Sequence, residues 1–264
     1  MQHDGDDRPE HPARPVGALR PGFRGTLRKR GIYLLPNIFT TGCLFAGFYA
    51  IVQAMNGDFQ RAAIAIFVAM VLDTLDGRIA RMTRTQSEFG AQFDSIADMV
   101  AFGAAPALIA YEWALKPLGR LGWLAAFVYC AGAALRLARF NTNIGVVDKR
   151  FFQGLPSPAA AALVMGLVWV IDDFNIERVE TVRAIACGFA LFAGVTMVTS
   201  IPFYSFKDID LRRTVPFWAV LLIVLALLLI SYEPPVVLFL LFCTYALSGY
   251  AYWVWNFRKL RNPF

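Results

Sequence analysis

The stretch Leu72–Asp98, LDTLDGRIARMTRTQSEFGAQFDSIAD, places Asp73, Asp76, Asp94 and Asp98 beside Arg78, Arg81 and Arg84 in a chain that otherwise reads as soluble in lipid. The 264 residues are 58% hydrophobic and 14% aromatic, and the mean hydropathy is +0.52. Those values exceed what a soluble domain carries and suit an all-α integral membrane protein. Apolar runs near the length a helix needs to cross a bilayer recur at about 34–55, 61–82, 92–115, 121–140, 157–173, 183–203, 214–231 and 235–256, which predicts about eight transmembrane helices.

A charged side chain at the centre of a membrane helix costs about 2.5–3.5 kcal/mol on insertion scales, so four clustered acids need compensation. Asp73 and Asp76 are three apart at the end of the second span, and Asp94 and Asp98 four apart at the start of the third. Each pair shares one helix face. The short polar link between the spans makes the helices antiparallel neighbours, so the four carboxylates are predicted to line one pocket. The only histidines, His3 and His11, lie in the N-terminal tail. The pocket therefore offers oxygen donors alone, which suits the hard cations Mg²⁺ or Mn²⁺. Two other uses of the acids stand beside this one: a salt-bridge cluster with Arg78 and Arg81, and a cation or proton pathway through a transporter. Acids gathered at one edge do not form a relay across the membrane. Spans seven and eight, which show almost no polar residues, likewise disfavour transport, and they are expected to tolerate substitution.

Residues 1–30 read as a disordered acidic and proline-rich tail followed by a basic juxtamembrane segment, in which Pro21, Gly22 and Gly25 are expected to weaken any long helix. Residues 31–264 read as one transmembrane domain. With eight spans, twenty of the 25 Lys and Arg residues fall on the side of the tail, the other five being Arg61, Lys116, Arg120, Arg178 and Arg183. The positive-inside rule then puts both termini and the aspartates on the cytoplasmic side of the cytoplasmic membrane. Cys43, Cys130, Cys187 and Cys243 are far apart and read as packing residues. No nucleic-acid partner is expected.

Gly77 and Gly90 flank the acids and leave room for a bulky ligand, or merely help helices pack. Arg81 suits a donor phosphate, against a snorkelling charge at a helix end. Asn37 and Thr40 follow Pro36, and either cap the first span or reach a bound ligand. Arg136 and Arg139 are candidates for an acceptor carboxylate or a lipid phosphate, against orientation charges. The stretch Gly154-Leu155-Pro156-Ser157-Pro158 either punctuates the chain before the fifth helix or offers backbone N–H groups to a carboxylate.

The pattern Asp73-x-x-Asp76-Gly77-x-x-Ala80-Arg81, eight residues, Gly90-x-x-x-Asp94-x-x-x-Asp98 resembles, without departure, the signature of the CDP-alcohol phosphatidyltransferase family. The resemblance implies two divalent cations held by Asp73, Asp76, Asp94 and Asp98, with Asp98 also the general base. It implies a CDP-diacylglycerol donor contacted by Asn37, Thr40, Gly77, Arg81 and Gly90, transfer to an alcohol with release of CMP, and a homodimer. Residues 93–107, 134–141 and 152–161 are similar to the phosphatidylserine synthase branch, which implies L-serine as acceptor, with Arg136, Arg139, Gly154, Pro156 and Ser157 around it. Glycerol 3-phosphate or inositol phosphate is the runner-up acceptor.

Overall fold

In a computed structural model, residues 23–83, 87–142, 151–204 and 217–261 are described; the tail before Phe23 and Arg84 lie outside these ranges. Among the described residues there are eight helices: α1 (Phe23–Met55), α2 (Phe59–Thr83), α3 (Glu88–Leu118), α4 (Arg120–Thr142), α5 (Ser157–Asp173), α6 (Glu180–Val198), α7 (Phe217–Tyr232) and α8 (Pro234–Arg261). Each falls on one of the eight apolar runs. Five contain stretches long and apolar enough to cross a membrane, in α1, α3, α4, α6 and α8. The α2 helix is interrupted by its own charges, α5 has 17 residues, and the apolar part of α7 is shorter still.

Three local expectations are corrected. The α1 helix starts at Phe23 and runs unbroken through Gly25. Pro21 and Gly22 lie outside the described residues, and a glycine near a helix start costs least. The sixth helix stops at Val198 because Thr199 turns extended. The fold is also not purely helical: β1 (Phe151–Gln153) pairs antiparallel with β2 (Pro202–Tyr204), with Phe152 opposite Phe203. This ribbon pairs the backbone groups of two connections that meet at the same end of the bundle.

The α3 rod is not uniform. Directly after Asp98 it widens into a π-turn over Met99–Ala104, and again over Tyr111–Leu115. The Ala105 N–H accordingly bonds the Val100 carbonyl five residues back. The fully buried Tyr129 of α4 donates to the Phe102 carbonyl inside the first π-turn at 3.0 Å. A π-turn of this kind changes which face of the helix follows, and such turns recur beside functional groups.

The core is built by α5, whose surface is buried almost all round, with α2, α6 and α8 packed on it and α1 laid along α2. The α7 helix packs on α8 and is otherwise exposed. The α8 helix is different: Phe239 rests on Gly166, and Tyr250 shares a 2.7 Å hydrogen bond with the buried Thr196. Close approach uses small residues, as membrane helices do without a hydrophobic drive between them. A Cβ at Gly47 would lie 2.7 Å from the Ala101 Cα, and one at Gly194 would lie 2.8 Å from the Tyr129 Cα.

The two ends of the bundle differ in chemistry. At the end away from the aspartates Arg61 pairs with Asp58 at 3.2 Å, Lys116 with Glu112 at 2.7 Å and Arg178 with Asp172 at 3.1 Å. Arg178 also lies 4.8 Å from the centre of the Phe59 ring, and Gln60 donates to Asp173 at 3.0 Å, so α2, α5 and the α5–α6 connection are tied together there.

Gly194→Val should lower the thermal midpoint in detergent by roughly 2–10 °C, the consequence of overpacking a backbone-to-backbone crossing. Gly188→Ala, on the same helix where a Cβ meets nothing within 4 Å, should not lower it.

Candidate active site

Two helices deliver the acids, and a third lies across them. Asp73 and Asp76 come from the last turns of α2, Asp94 and Asp98 from α3, and α1 crosses both. The α3 start is fixed by Ser87, whose hydroxyl accepts from the Gly90 N–H at 3.0 Å. That cap sets the phase of the helix and with it the direction of Asp94, one turn further on.

Carboxylate oxygens of Asp73, Asp76 and Asp94 all lie within 4.8 Å of one another. Asp98 stands beside Asp73, and its Oδ1 is buried without a hydrogen-bond partner. As a whole residue Asp76 is buried, at 4% exposure. Asp76 accepts a 2.8 Å hydrogen bond from the Thr40 hydroxyl of α1. The ion pairs found among the described residues, Arg61–Asp58, Lys116–Glu112 and Arg178–Asp172, involve neither Asp76 nor Asp94. Oxygen donors at this spacing, with an orphaned buried oxygen next to them, fit a hard divalent cation.

Beside the acids opens a cavity of about 320 Å³ lined by Asn37, Thr40, Asp76, Gly77, Ala80, Arg81, Ser87, Gly90, Ala91 and Asp94. All five residues expected to contact the donor therefore meet in one place. Helix α1 begins fourteen residues before Asn37, so neither Asn37 nor Thr40 caps it; both look sideways into the cavity instead. A Cβ at Gly77 would meet the Arg81 guanidinium at an ordinary 3.9 Å, so the protein's own packing does not demand glycine there. The missing side chain leaves space on the cavity wall. At Gly90 a Cβ would press on the Ser87 hydroxyl at 3.1 Å and the Asn37 amide at 3.4 Å.

The second group of residues divides. Arg136, 8% exposed, donates to the fully buried Ser157 hydroxyl at 2.8 Å. Its Nε is buried without a partner, and the ionisable groups around it include Asp98, Tyr245, Arg139 and Asp73. Arg139 is spent on structure: its Nη1 donates to the Val198 carbonyl and its Nη2 to those of Gln153, Met197 and Thr199, at 2.9–3.2 Å. It fastens the end of α6 to the ribbon. The loop of residues 154–158 does not present free N–H groups at its start, because the Gly154 N–H bonds the Ile201 carbonyl at 2.9 Å and the Leu155 N–H that of Thr196 at 3.2 Å. Gly154 holds φ +80°, and a Cβ there would lie 2.9 Å from the Thr199 oxygen. Pro156 then leads into α5, where Ser157 begins the helix.

Sequence reasoning did not single out Cys43, Ser87 or Tyr245. Cys43, 1% exposed, is the buried neighbour of all four aspartates, on the face of α1 that carries Thr40 three residues earlier. That three-residue spacing was the available signal. Ser87 stands three residues before Gly90, a capping spacing. Tyr245 comes from α8 and donates to the Tyr204 carbonyl of the ribbon at 3.2 Å; only tertiary packing reveals it.

Residues 33–200 match the sequence profile of the CDP-alcohol phosphatidyltransferase family. The chain belongs to that family. Within the CDP-alcohol phosphatidyltransferases it is similar to the CDP-diacylglycerol–serine O-phosphatidyltransferase of Helicobacter pylori strain J99, 35% identical over 232 residues that cover 87% of this chain and 94% of the relative. The protein of the same name from Helicobacter pylori strain 26695 is 37% identical, with 76% and 81% covered. That from Methanocaldococcus jannaschii is 35% identical over 143 residues, with 54% and 63% covered. The family and the five apolar helices together fit an integral membrane protein.

Thr40→Val should weaken Mn²⁺ affinity about 10–100-fold, the usual cost of removing a group that orients a metal-ligating carboxylate; calorimetric titration of the detergent-purified protein reads it directly.

Proposed function

We propose that this transferase moves the phosphatidyl group of CDP-diacylglycerol to the hydroxyl of L-serine and releases CMP. The observation that carries the reading is the convergence of the Asp73, Asp76 and Asp94 oxygens on the rim of a cavity that also gathers Asn37, Thr40, Gly77, Arg81 and Gly90. The names of relatives matched over most of this chain support the choice of donor and acceptor.

In this reading Asp73, Asp76, Asp94 and Asp98 hold two divalent cations, Mg²⁺ or Mn²⁺. Bound there, the ions would neutralise pyrophosphate charge and favour CMP as leaving group. Arg81, with its fork of donors over the bare Gly77 wall, holds donor phosphate oxygens, while Asn37 and Gly90 bound the space for the nucleotide. The Asp98 Oδ1, which lacks a partner, accepts the serine hydroxyl proton as the serine oxygen forms its bond to the phosphorus next to diacylglycerol; the bond from that phosphorus to the CMP oxygen breaks. Arg136, with its unpartnered Nε and its proximity to Asp98, takes the serine carboxylate, and Ser157 holds the guanidinium in place. Arg139 and Gly154 act one step back by building the wall behind them.

The reading also places all eight helices across the cytoplasmic membrane, with both termini and the aspartates on the cytoplasmic side. Residues 31–264 act as one catalytic domain, residues 1–30 as a tail and surface anchor, and two copies associate as a homodimer. The paired cations at the opposite end of the bundle support the orientation, since Arg61, Lys116 and Arg178 are each neutralised locally by an acid.

In detergent with CDP-diacylglycerol and Mn²⁺ or Mg²⁺, CMP release should require L-serine and be abolished by EDTA and by Asp98→Asn. Release with glycerol 3-phosphate or inositol phosphate in place of serine would overturn the acceptor and leave the donor site standing.

Arg136→Gln should raise the KM for L-serine roughly 10–100-fold, the scale of one charge-assisted hydrogen bond, with little change in the KM for CDP-diacylglycerol; steady-state kinetics in both substrates checks it.

A further inference from the structure

A cleft of about 560 Å³ lies at the end of the bundle opposite the aspartates, between the end of α5 and the start of α6. One wall is apolar, from Ile171 and Ile176; the other carries Asp172, Glu177, Arg178 and Arg183. The connection between the helices is turned by Asn175 at φ +50°. The four charges are not equivalent. Asp172 and Arg178 neutralise each other at 3.1 Å, and Arg178 is further held on the Phe59 ring. Among the described residues Arg183 and Glu177 have no ion-pair partner, and the Arg183 Nε is buried without a hydrogen bond.

An arginine nitrogen buried without an acceptor is costly, and its planar fork suits phosphate oxygens. The cleft thus leaves one cation and one anion unspent on a half-apolar surface. It lies at the level of the helix ends, since the candidate span in α6 begins at Glu180, and that is the depth of lipid head groups. The geometry points to a binding site for the head group of a zwitterionic phospholipid, with Arg183 taking the phosphodiester, Glu177 the ammonium, and the Ile171 and Ile176 wall the first part of the lipid's apolar body. The lipid would brace the α5–α6 connection from the face opposite the chemistry. This inference is independent of the reaction proposed above.

The test uses the full chain, delipidated in detergent, with direct binding measured for four probes: dihexanoyl-phosphatidylethanolamine, dihexanoyl-phosphatidylglycerol, phosphoethanolamine and inorganic phosphate. The wild-type protein should bind the ethanolamine lipid in preference to the other three. Arg183→Gln should weaken that binding about tenfold or more, and Glu177→Gln should erase the preference over the glycerol lipid, while the divalent-metal affinity of both variants stays unchanged. Equal ethanolamine-lipid binding by Arg183→Gln and wild type overturns the site. Equal binding of the two lipids by the wild type overturns the zwitterion assignment, and inorganic phosphate or phosphoethanolamine binding as tightly as the lipid shows a soluble-anion site instead. The wild-type comparisons stand even where a variant fails to fold.

Discussion

Negative charge gathered where water is scarce governs this molecule. Asp73, Asp76 and Asp94 bring their oxygens within 4.8 Å of one another, and Asp98 adds a buried oxygen that no group of the chain satisfies. Coulomb repulsion between carboxylates at that range strengthens as the dielectric falls, so the cluster is stable only with positive charge supplied from outside the chain or with protons. The surrounding helices hold this arrangement in place: α1 supplies Thr40 to one acid, the Ser87 cap sets the phase of another, and the close crossing at Gly47 keeps α1 against α3.

Cationic side chains are used in two ways, and the difference follows from what each end of the bundle must do. Away from the acids Arg61, Lys116 and Arg178 are cancelled in place by neighbouring carboxylates, with Arg183 the exception described above. Around the acids the cations are not: Arg81 overhangs a bare glycine wall, Arg136 keeps one nitrogen unspent, and Arg139 is consumed by four carbonyl oxygens at the end of α6 and in the ribbon. Buried carbonyls at a helix end need donors, and a guanidinium supplies several at once. Two arginines three residues apart thereby take different employment, one keeping a nitrogen unspent beside Ser157 and one closing a structure.

What the sequence disclosed and what it withheld separate along the same line. The aspartate spacings, the glycine pair and the apolar runs are local periodicities, and each appears in the structure where the period puts it. Asn37 and Thr40 line the cavity beside the acids, and their helix starts too early for the capping alternative. Arg139 and Gly154 read from sequence as ligand contacts because nothing local distinguishes a carbonyl clamp from a carboxylate clamp; apart from Gln153, their partners lie some 45 to 60 residues away in α6 and its exit. The three-residue strands are too short to announce themselves, and Tyr245 meets the site only through the packing of α8. Tertiary partners of this kind carry no period.

The widening of α3 directly after Asp98 makes one helix serve two masters. One added residue in a turn advances the angular phase by about 100°, so the face that carries Asp94 and Asp98 is not the face that continues along Ala105 and Ala110 into the core. The acids and the core can then each occupy the side they need on a single unbroken rod, without a loop that would expose backbone to lipid. The carbonyl left inside the wider turn is answered by Tyr129 from the neighbouring helix. Catalytic alignment and core packing are thus free to change separately in the course of evolution, with the π-turn as the clutch between them.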